Sequence, residues 1–397
     1  MKAIIGRFGL LALACVVALS ATAGCERKPA AGGANPTTGD IPVGFYGSLT
    51  GESASFGISA REGTELAVDE VNAAGGVLGG RKLKLIVEDD QSKTDEASSA
   101  VTKMITQDKV VTVLGEVSSS RSLAAAPVCQ RFSVPMITPA STNDKITKVG
   151  DYIFRTCYTD SQQGRVLAEF AYNDLKARRA AILKDVGKDY SVGLTASIEE
   201  NFKRLGGEVL PVVSYGSTDQ DFRAILTQIR EQKPDAIFAT GYYPEAAIIV
   251  RQARELGITV PILGGDGWVG DSLQGGREAL NNCFLSNHFA TDDPDPTLKA
   301  LGQKFVAAYK ARFGKEPDAM AALSYDSVYV LADALNRAGS TDGTKLRDAI
   351  AATSIQGVTG KLAINETRNV DKPTVIQEVV YKDGAMKFVY KTTIKPN

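Results

Sequence analysis

Short apolar runs of strand length alternate with amphipathic helical stretches through most of this chain, and that alternation leaves few folds open. Strand-like runs at 41–46, 83–88, 110–115 and 135–138 are separated by helical stretches at 59–74, at 94–107 and among the serines from 118. Gly63, Leu66, Ala67 and Val71 fall on one face of the first helix, and Ala97, Val101, Met104 and Ile105 on one face of the second. The pattern restarts with strands at 152–157, 180–184, 209–214, 236–240 and 261–264, separated by helices at 162–175, 192–205, 222–231 and 244–256. Pro244 stands in a first helical turn, where its missing N–H costs nothing. Regular βα alternation with short loops predicts α/β architecture, with parallel sheets covered by helices on both faces. Two such runs, one on each side of about residue 160, predict two similar lobes rather than one large sheet. The last part differs: helices at 298–313, 319–337 and 344–352 precede strands at 360–364 and within 374–390, with Asp383-Gly384 as a hairpin turn.

In an open parallel sheet, ligands bind just beyond the carboxyl ends of the strands. Five polar loops occupy such places: 118–120 (three serines), 140–142 (Ala-Ser-Thr), Asp189-Tyr190, Tyr242-Tyr243 and 266–268 (Asp-Gly-Trp). They carry hydroxyls, phenols and carboxylates, and no nucleophile–base pair. That inventory suits holding a small polar molecule better than transforming it, so no catalytic residue and no cofactor is expected.

Lys2 and Arg7 precede an apolar run at 8–19, which has the length of a signal peptide and is too short to span a membrane. The small residues at 21–23 fit ordinary secretory cleavage, whereas Thr22-Ala23-Gly24-Cys25 fits a bacterial lipobox in which Cys25 is lipidated. The Pro-, Ala-, Gly- and Thr-rich stretch that follows reads as a tether. The expected organisation begins with a signal peptide at 1–24 and a tether at 25–40. Either cleavage exports the chain, to a periplasm or cell surface, and the lipobox anchors it to a membrane. Without the first 24 residues the chain has 43 basic and 46 acidic residues, no footprint for nucleic acid. A lone His288 excludes metal chemistry built on histidines. Cys129, Cys157 and Cys283 have scattered spacings and read as buried thiols, with a disulfide among them left open.

Several stretches, in order, carry a family resemblance. They are Gly47-Ser-Leu-Thr-Gly-Glu, Asp69-Glu-Val-Asn-Ala-Ala-Gly-Gly, the serine loop, Met136-Ile-Thr-Pro-Ala-Ser-Thr, Phe154-Arg-Thr and Gly241-Tyr-Tyr-Pro-Glu. With them the chain, from about Val43 to Tyr390, resembles the substrate-binding proteins of bacterial branched-chain amino-acid ABC transporters, the leucine/isoleucine/valine-binding type. The resemblance implies a two-lobed clamshell with three hinge crossings, near 160, 290 and 370. Lobe 1 would comprise 41–160 and 291–370, and lobe 2 would comprise 161–290 and 371–397. It also implies a monomer that takes a small amino acid and delivers it to an ABC permease. A ligand sensor on the same fold, or a receptor for another small carboxylate or amide, are the alternatives.

The resemblance places the carboxylate-holding groups of lobe 1 at Ser119, at the backbone of Ala140 and at Thr142. Uncharged donors and a helix N-terminus can hold an anion without a buried arginine. From lobe 2 it brings Tyr190 and Tyr242 over the ligand and sets Asp266 against the ligand ammonium. Three departures stand out. Asp266 replaces a usual Glu and is one methylene shorter. Phe56 is the aromatic residue at the cleft entrance and has no hydroxyl. Ser92 and Ser118 occupy the positions of a disulfide found in some relatives. Tyr243 reads as packing within its lobe, and Trp268 as either a pocket wall or packing. The glycines at 75, 76, 79 and 80 follow a helix and precede a strand, the reverse of a phosphate-binding loop, so they read as a helix-ending turn. The acids at 88–90 read as a solvated or hinge-adjacent strand end. On this reading Asp266→Ala abolishes ligand binding and leaves the melting temperature unchanged.

Overall fold

The computed structural model describes residues 38–396, so the expected signal peptide, Cys25 and all but the end of the expected tether lie outside the described residues. Strands β1 (Ile41–Gly47), β2 (Leu83–Asp89), β3 (Val113–Leu114), β4 (Met136–Thr138) and β5 (Ile153–Arg155) form one parallel sheet in the order β2-β1-β3-β4-β5. Helices α1 (Ala54–Ala73), α2 (Thr94–Thr106) and α3 (Ser119–Phe132) connect its first four strands. Val43, Phe45, Leu114, Ile137 and Phe154 are buried, as strands covered on both faces require.

The second sheet begins after α4 (Asp160–Glu169). Its parallel part comprises β6 (Arg179–Asp185), β7 (Glu208–Val209), β8 (Val213–Tyr215), β9 (Ala236–Ala239), β10 (Ile262–Gly264) and β11 (Cys283–Asn287), threaded by α5 (Asp189–Arg204), α6 (Arg223–Gln232) and α7 (Tyr243–Glu255). Helices α8 (Pro296–Phe313), α9 (Ala319–Ala338) and α10 (Gly343–Ala351) follow, with α9 lying along α1 on the first half. A small hairpin, β12 (Ser354–Gly357) and β13 (Gly360–Ala363), precedes β14 (Thr374–Lys382) and β15 (Ala385–Ile394). These last two strands return antiparallel to the second sheet, giving the order β15-β14-β11-β10-β9-β6-β7 with β8 also on β6.

The run β7-β6-β9-β10-β11 repeats the order of the first sheet, so the two halves share one topology. In each, the strand order reverses beside the first strand, and the loops leaving the strands on either side of that point diverge to open a crevice. The chain passes between the sheets after β5, after β11 and before β14. The two-domain α/β fold anticipated from the alternation is therefore present.

Local differences have physical reasons. Helix α4 ends at Glu169 in a π turn at Phe170–Asp174 rather than running on to 175. The strand expected at 209–214 is two short ones, both on the edge-side strand β6. Strand β12 has too few apolar residues to register as a strand. The 75–80 glycines do close a helix: Gly75 and Gly76 have φ of 110° and 75°, and the Gly76 N–H donates to Val71 O at 2.9 Å. At the hairpin tip Asp383 and Gly384 have φ of 53° and 80°, the paired positive values that a tight two-residue turn requires. Among the described residues Cys129, Cys157 and Cys283 are unpaired and buried, and burial raises all three thiols, the latter two to about 12.

Candidate functional site

The five polar loops leave the carboxyl ends of β3, β4, β6, β9 and β10 and meet along the seam between the two halves. On the first half, Ser118 immediately precedes α3 in an extended conformation, yet its side chain makes no helix-capping bond. Its Oγ accepts from the Tyr242 hydroxyl at 3.1 Å, across the seam. Ser120 Oγ likewise accepts from the Asp189 N–H at 3.0 Å. Ser119 Oγ accepts from the Asn143 N–H at 3.2 Å and ties two first-half loops together. These serines do more than start a helix.

The 140–143 loop is held from behind by Arg155, which is fully buried. Its two terminal nitrogens donate to Ser141 O at 2.9 Å and Asn143 O at 2.8 Å. Ala140 and Thr142 are buried in this loop, and the Thr142 hydroxyl has no hydrogen-bond partner. A buried hydroxyl without a partner is uncommon and marks a group available to a ligand or ordered water.

On the second half, Tyr190 lies in the first turn of α5 and Tyr242 just before α7, their rings stacked with centroids 5.1 Å apart. Gly267 lies against both rings, where an added Cβ would come within 2.8 Å of each. The Tyr190 hydroxyl donates to Gln163 Oε1 and accepts from the Gly267 N–H, both at 3.1 Å. Burial raises both phenols, so each is a neutral donor. Phe56, from α1, sets its ring edge-to-face against Tyr242 and Tyr243 at 5.3 and 4.8 Å.

Asp266 is buried beside them, with Oδ1 accepting from Gln163 Nε2 at 2.8 Å and Oδ2 2.9 Å from His288 Nε2. Burial outweighs the attraction of Asp266 and pushes His288 down to about 4, so the ring is neutral near pH 7. The first turn of α4 joins the two sides of the site. The Asp160 N–H donates to Thr142 O at 2.8 Å, and Gln163, one turn on, reaches Asp266. Burial lifts the Asp160 carboxyl well above the usual carboxylate range, and the adjacent Thr142 hydroxyl, not close enough in geometry for a full hydrogen bond, works against that rise.

Tyr243 packs within its own half, with its ring against Gly270, and it also crosses the seam: the ring meets Phe56 and the hydroxyl donates to Glu52 O at 3.0 Å. Trp268 is a packing residue. Its indole N–H donates to Ala239 O at 3.0 Å, and Gly264 has no side chain to push the ring away. The acids at 88–90 are not simply solvated, because Asp90 is fully buried. Ser48 Oγ bridges it to Glu116, at 2.7 and 3.0 Å, and Arg121 Nε lies 3.1 Å from Glu116. Burial, then the nearby Glu116, raises Asp90 to about 7. Nothing in the sequence assigns Gln163, His288 or this cluster behind the serine loop a part in the site.

Further contacts close the seam around these groups. Lys188 pairs with Glu52, the Asp271 N–H donates to Ser55 Oγ at 3.1 Å, and Asn143 Nδ2 donates to Asp189 O at 2.7 Å.

Two sheets of one topology, joined by three crossings and closing on a seam with hydroxyls on one side and a carboxylate on the other, define a solute-binding fold. The chain belongs to the periplasmic binding protein family, whose profile matches residues 40–385. An amino acid binding protein of Pseudomonas aeruginosa is 35% identical over 329 residues, 81% of this chain and 85% of that one. Among solved structures, a leucine binding protein, LivK, of Thermotoga maritima is 39% identical with a TM-score of 0.83, covering 90% of this chain and 99% of that one. The branched-chain amino acid transporter substrate binding protein LivJ of Streptococcus pneumoniae, in complex with isoleucine, is 33% identical with a TM-score of 0.82, covering 90% of this chain and all (100%) of that one.

Proposed function

We propose that this protein captures a small aliphatic α-amino acid, of the leucine, isoleucine and valine kind, between its lobes and delivers it to an ABC permease. The observation that carries the reading is the charge layout of the seam. Uncharged donors (Ser119, Thr142 and the backbone at Ala140) lie on the first half, and a fixed carboxylate, Asp266, lies on the second, linked to the Thr142 loop through Asp160 and Gln163 in the first turn of α4. A zwitterion matches that layout end for end, and its desolvated ammonium finds a counter-charge that a neutral site would lack. Tyr190, Tyr242 and Phe56 close over it. The names of the relatives, two of which bind leucine or isoleucine, support the same ligand class.

The rest of the assignment follows the same reading. Residues 1–24 act as the export signal, Cys25 carries the lipid, 25–40 form the tether, and the exported chain works as a monomer on its membrane. Lobe 1 (41–160 and 291–370) and lobe 2 (161–290 and 371–397) act as the rigid halves. Hinge motion brings them onto the ligand, and the closed form is what a permease distinguishes. It binds its ligand without transforming it.

One observation favours a second ligand class. Asp266 already has a protein nitrogen within hydrogen-bond distance of each oxygen, so a small carboxylate or amide without an ammonium would not leave it bare. Calorimetric titration with amino acids, small carboxylates and amides separates the two. The expected outcome is saturable binding of an aliphatic amino acid, with the other classes at least about tenfold weaker, or 1.4 kcal/mol. A carboxylate or amide as the tightest ligand would overturn the assignment. Loss of amino-acid uptake on gene deletion distinguishes delivery from sensing.

A further inference from the structure

His288 stands at the start of the second crossing, between the site and the hinge. Its Nε2 faces Asp266 Oδ2 at 2.9 Å. Its ring stacks on Tyr158 of the first crossing, with centroids 3.7 Å apart and planes 20° from parallel. Its backbone N–H donates to Asn287 Oδ1 at 2.8 Å, and Asn287 Nδ2 donates to Gln377 of β14 at 2.7 Å. The ring is fully buried, and Nδ1 has no partner. It also borders a cavity of about 350 Å³ with Phe289, Val358, Pro373 and Val375, where the second and third crossings run side by side.

Hydrogen bonding fixes the tautomer. A carboxylate can only accept, so the ring proton belongs on Nε2. Nδ1 is then a bare lone pair, which is cheaper to leave without a partner in an apolar setting than an N–H would be. The groups facing the ring are Asp266 from the second half, Tyr158 from the first crossing and Lys372 from the third. The Lys372 ammonium donates to Thr359 Oγ1 at 2.8 Å, and its charge adds to burial in opposing a proton on His288. Of these groups, Asp266 alone favours one.

We propose that His288 is a positioning residue for ligand capture. Its neutral Nε2–H holds Asp266 aimed into the cleft, and its stack on Tyr158 ties that acid to the lobe crossings. This rests on the reading of Asp266 as the ammonium partner. It also answers the missing methylene: a short acid braced from two sides, by Gln163 and His288, does not have to reach. Ligand contact at Asp266 and movement at the hinge then meet at one ring.

His288 is the chain's single histidine, so histidine-selective ¹⁵N labelling reports on it without assignment. At pH 7 the expected spectrum is one ring with Nε2 protonated and Nδ1 bare. The ring should resist protonation well below the ordinary histidine value of about 6.5. An Nδ1–H tautomer, or titration near that ordinary value, would overturn the proposal. In calorimetry with leucine, His288→Leu should weaken binding about 10- to 100-fold, as loss of a hydrogen bond to a charged group does. His288→Gln, whose amide nitrogen can take the place of Nε2, should recover most of that loss. Unchanged affinity in a folded His288→Leu protein defeats the positioning role and leaves the ligand assignment standing. The Nε2–H spectrum with no response to any amino acid defeats the ligand assignment, and the Asp266 pairing survives it.

Discussion

The two halves of this protein share a strand order but prepare their sides of the cleft differently. On the first half the 140–142 loop is stapled from behind by Arg155, and the Thr142 hydroxyl it presents has no partner. On the second half Asp266 and Tyr190 are wired to Gln163, His288 and Gly267 before any ligand arrives. One side keeps its donors free on a rigid scaffold, whereas the other holds its charge in a finished network. Substitutions should therefore separate binding from stability on the first half and damage both on the second.

The largest effect is expected at Asp266. Asp266→Ala should weaken an α-amino acid by roughly 100-fold or more, since it leaves a buried ammonium without a counter-charge. It also strands two buried donors, on Gln163 and His288, each costing about 1–3 kcal/mol. The melting temperature should consequently fall, contrary to what the sequence alone suggests. An unchanged melting curve would mean the network is loose.

The pH dependence of stability comes next. His288 stays neutral in the fold down to about pH 4, while in the unfolded chain it takes up a proton near its ordinary value. The unfolded state then binds the extra proton, so this ring removes stability as pH falls from about 6.5 to about 4, by roughly 3 kcal/mol in all. Asp90 has the opposite sign. Raised to about 7 in the fold, it removes stability as pH rises from about 4 towards 7. Denaturation of wild type and His288→Gln at several pH values should show the variant gaining relative stability on acidification. Parallel profiles would refute the buried neutral ring.

Thr142→Val should be milder and cleaner, weakening a carboxylate ligand by about 1–3 kcal/mol. Its hydroxyl makes at most a weak contact with Asp160, so the apo protein should keep its stability to within about 0.5 kcal/mol. A large drop in melting temperature would place this residue in the scaffold instead. The smallest effect is expected at the rim. Glu52→Gln removes the cross-seam pair with Lys188, a partly exposed contact worth about 0.2–1 kcal/mol, and the difference from wild type should vanish in high salt.

Much of this layout could be read from the chain. Apolar runs followed by amphipathic stretches set the α/β class, and the loops they leave carry Ser119, Thr142, Tyr190, Tyr242 and Asp266 to one seam. What stayed hidden depends on contacts between segments far apart in sequence. Gln163 looks like any polar residue on an exposed helix, and only its position beneath Asp266 gives it a role. His288 looks isolated because its partners, Tyr158 and Asp266, come from other parts of the chain. Asp90 follows a strand like a solvated end until Glu116 and Arg121 arrive beside it. Trp268 could not be divided between wall and packing, because the answer lies in the bare backbone of Gly264. The sequence spacing gives direction along one element, and it carries no information about which element lies opposite.

On the proposed function, a zwitterion matches the two sides of the cleft, carboxylate to the first half and ammonium to Asp266. Calorimetry with leucine and with its α-keto acid, which keeps the carboxylate and side chain but lacks the ammonium, tests that match directly. Leucine should bind, and the keto acid should be weaker by about 100-fold, near 2.7 kcal/mol. Equal affinities would contradict the pairing of Asp266 with an ammonium, and with it the claim that the two halves divide the ligand's charges between them.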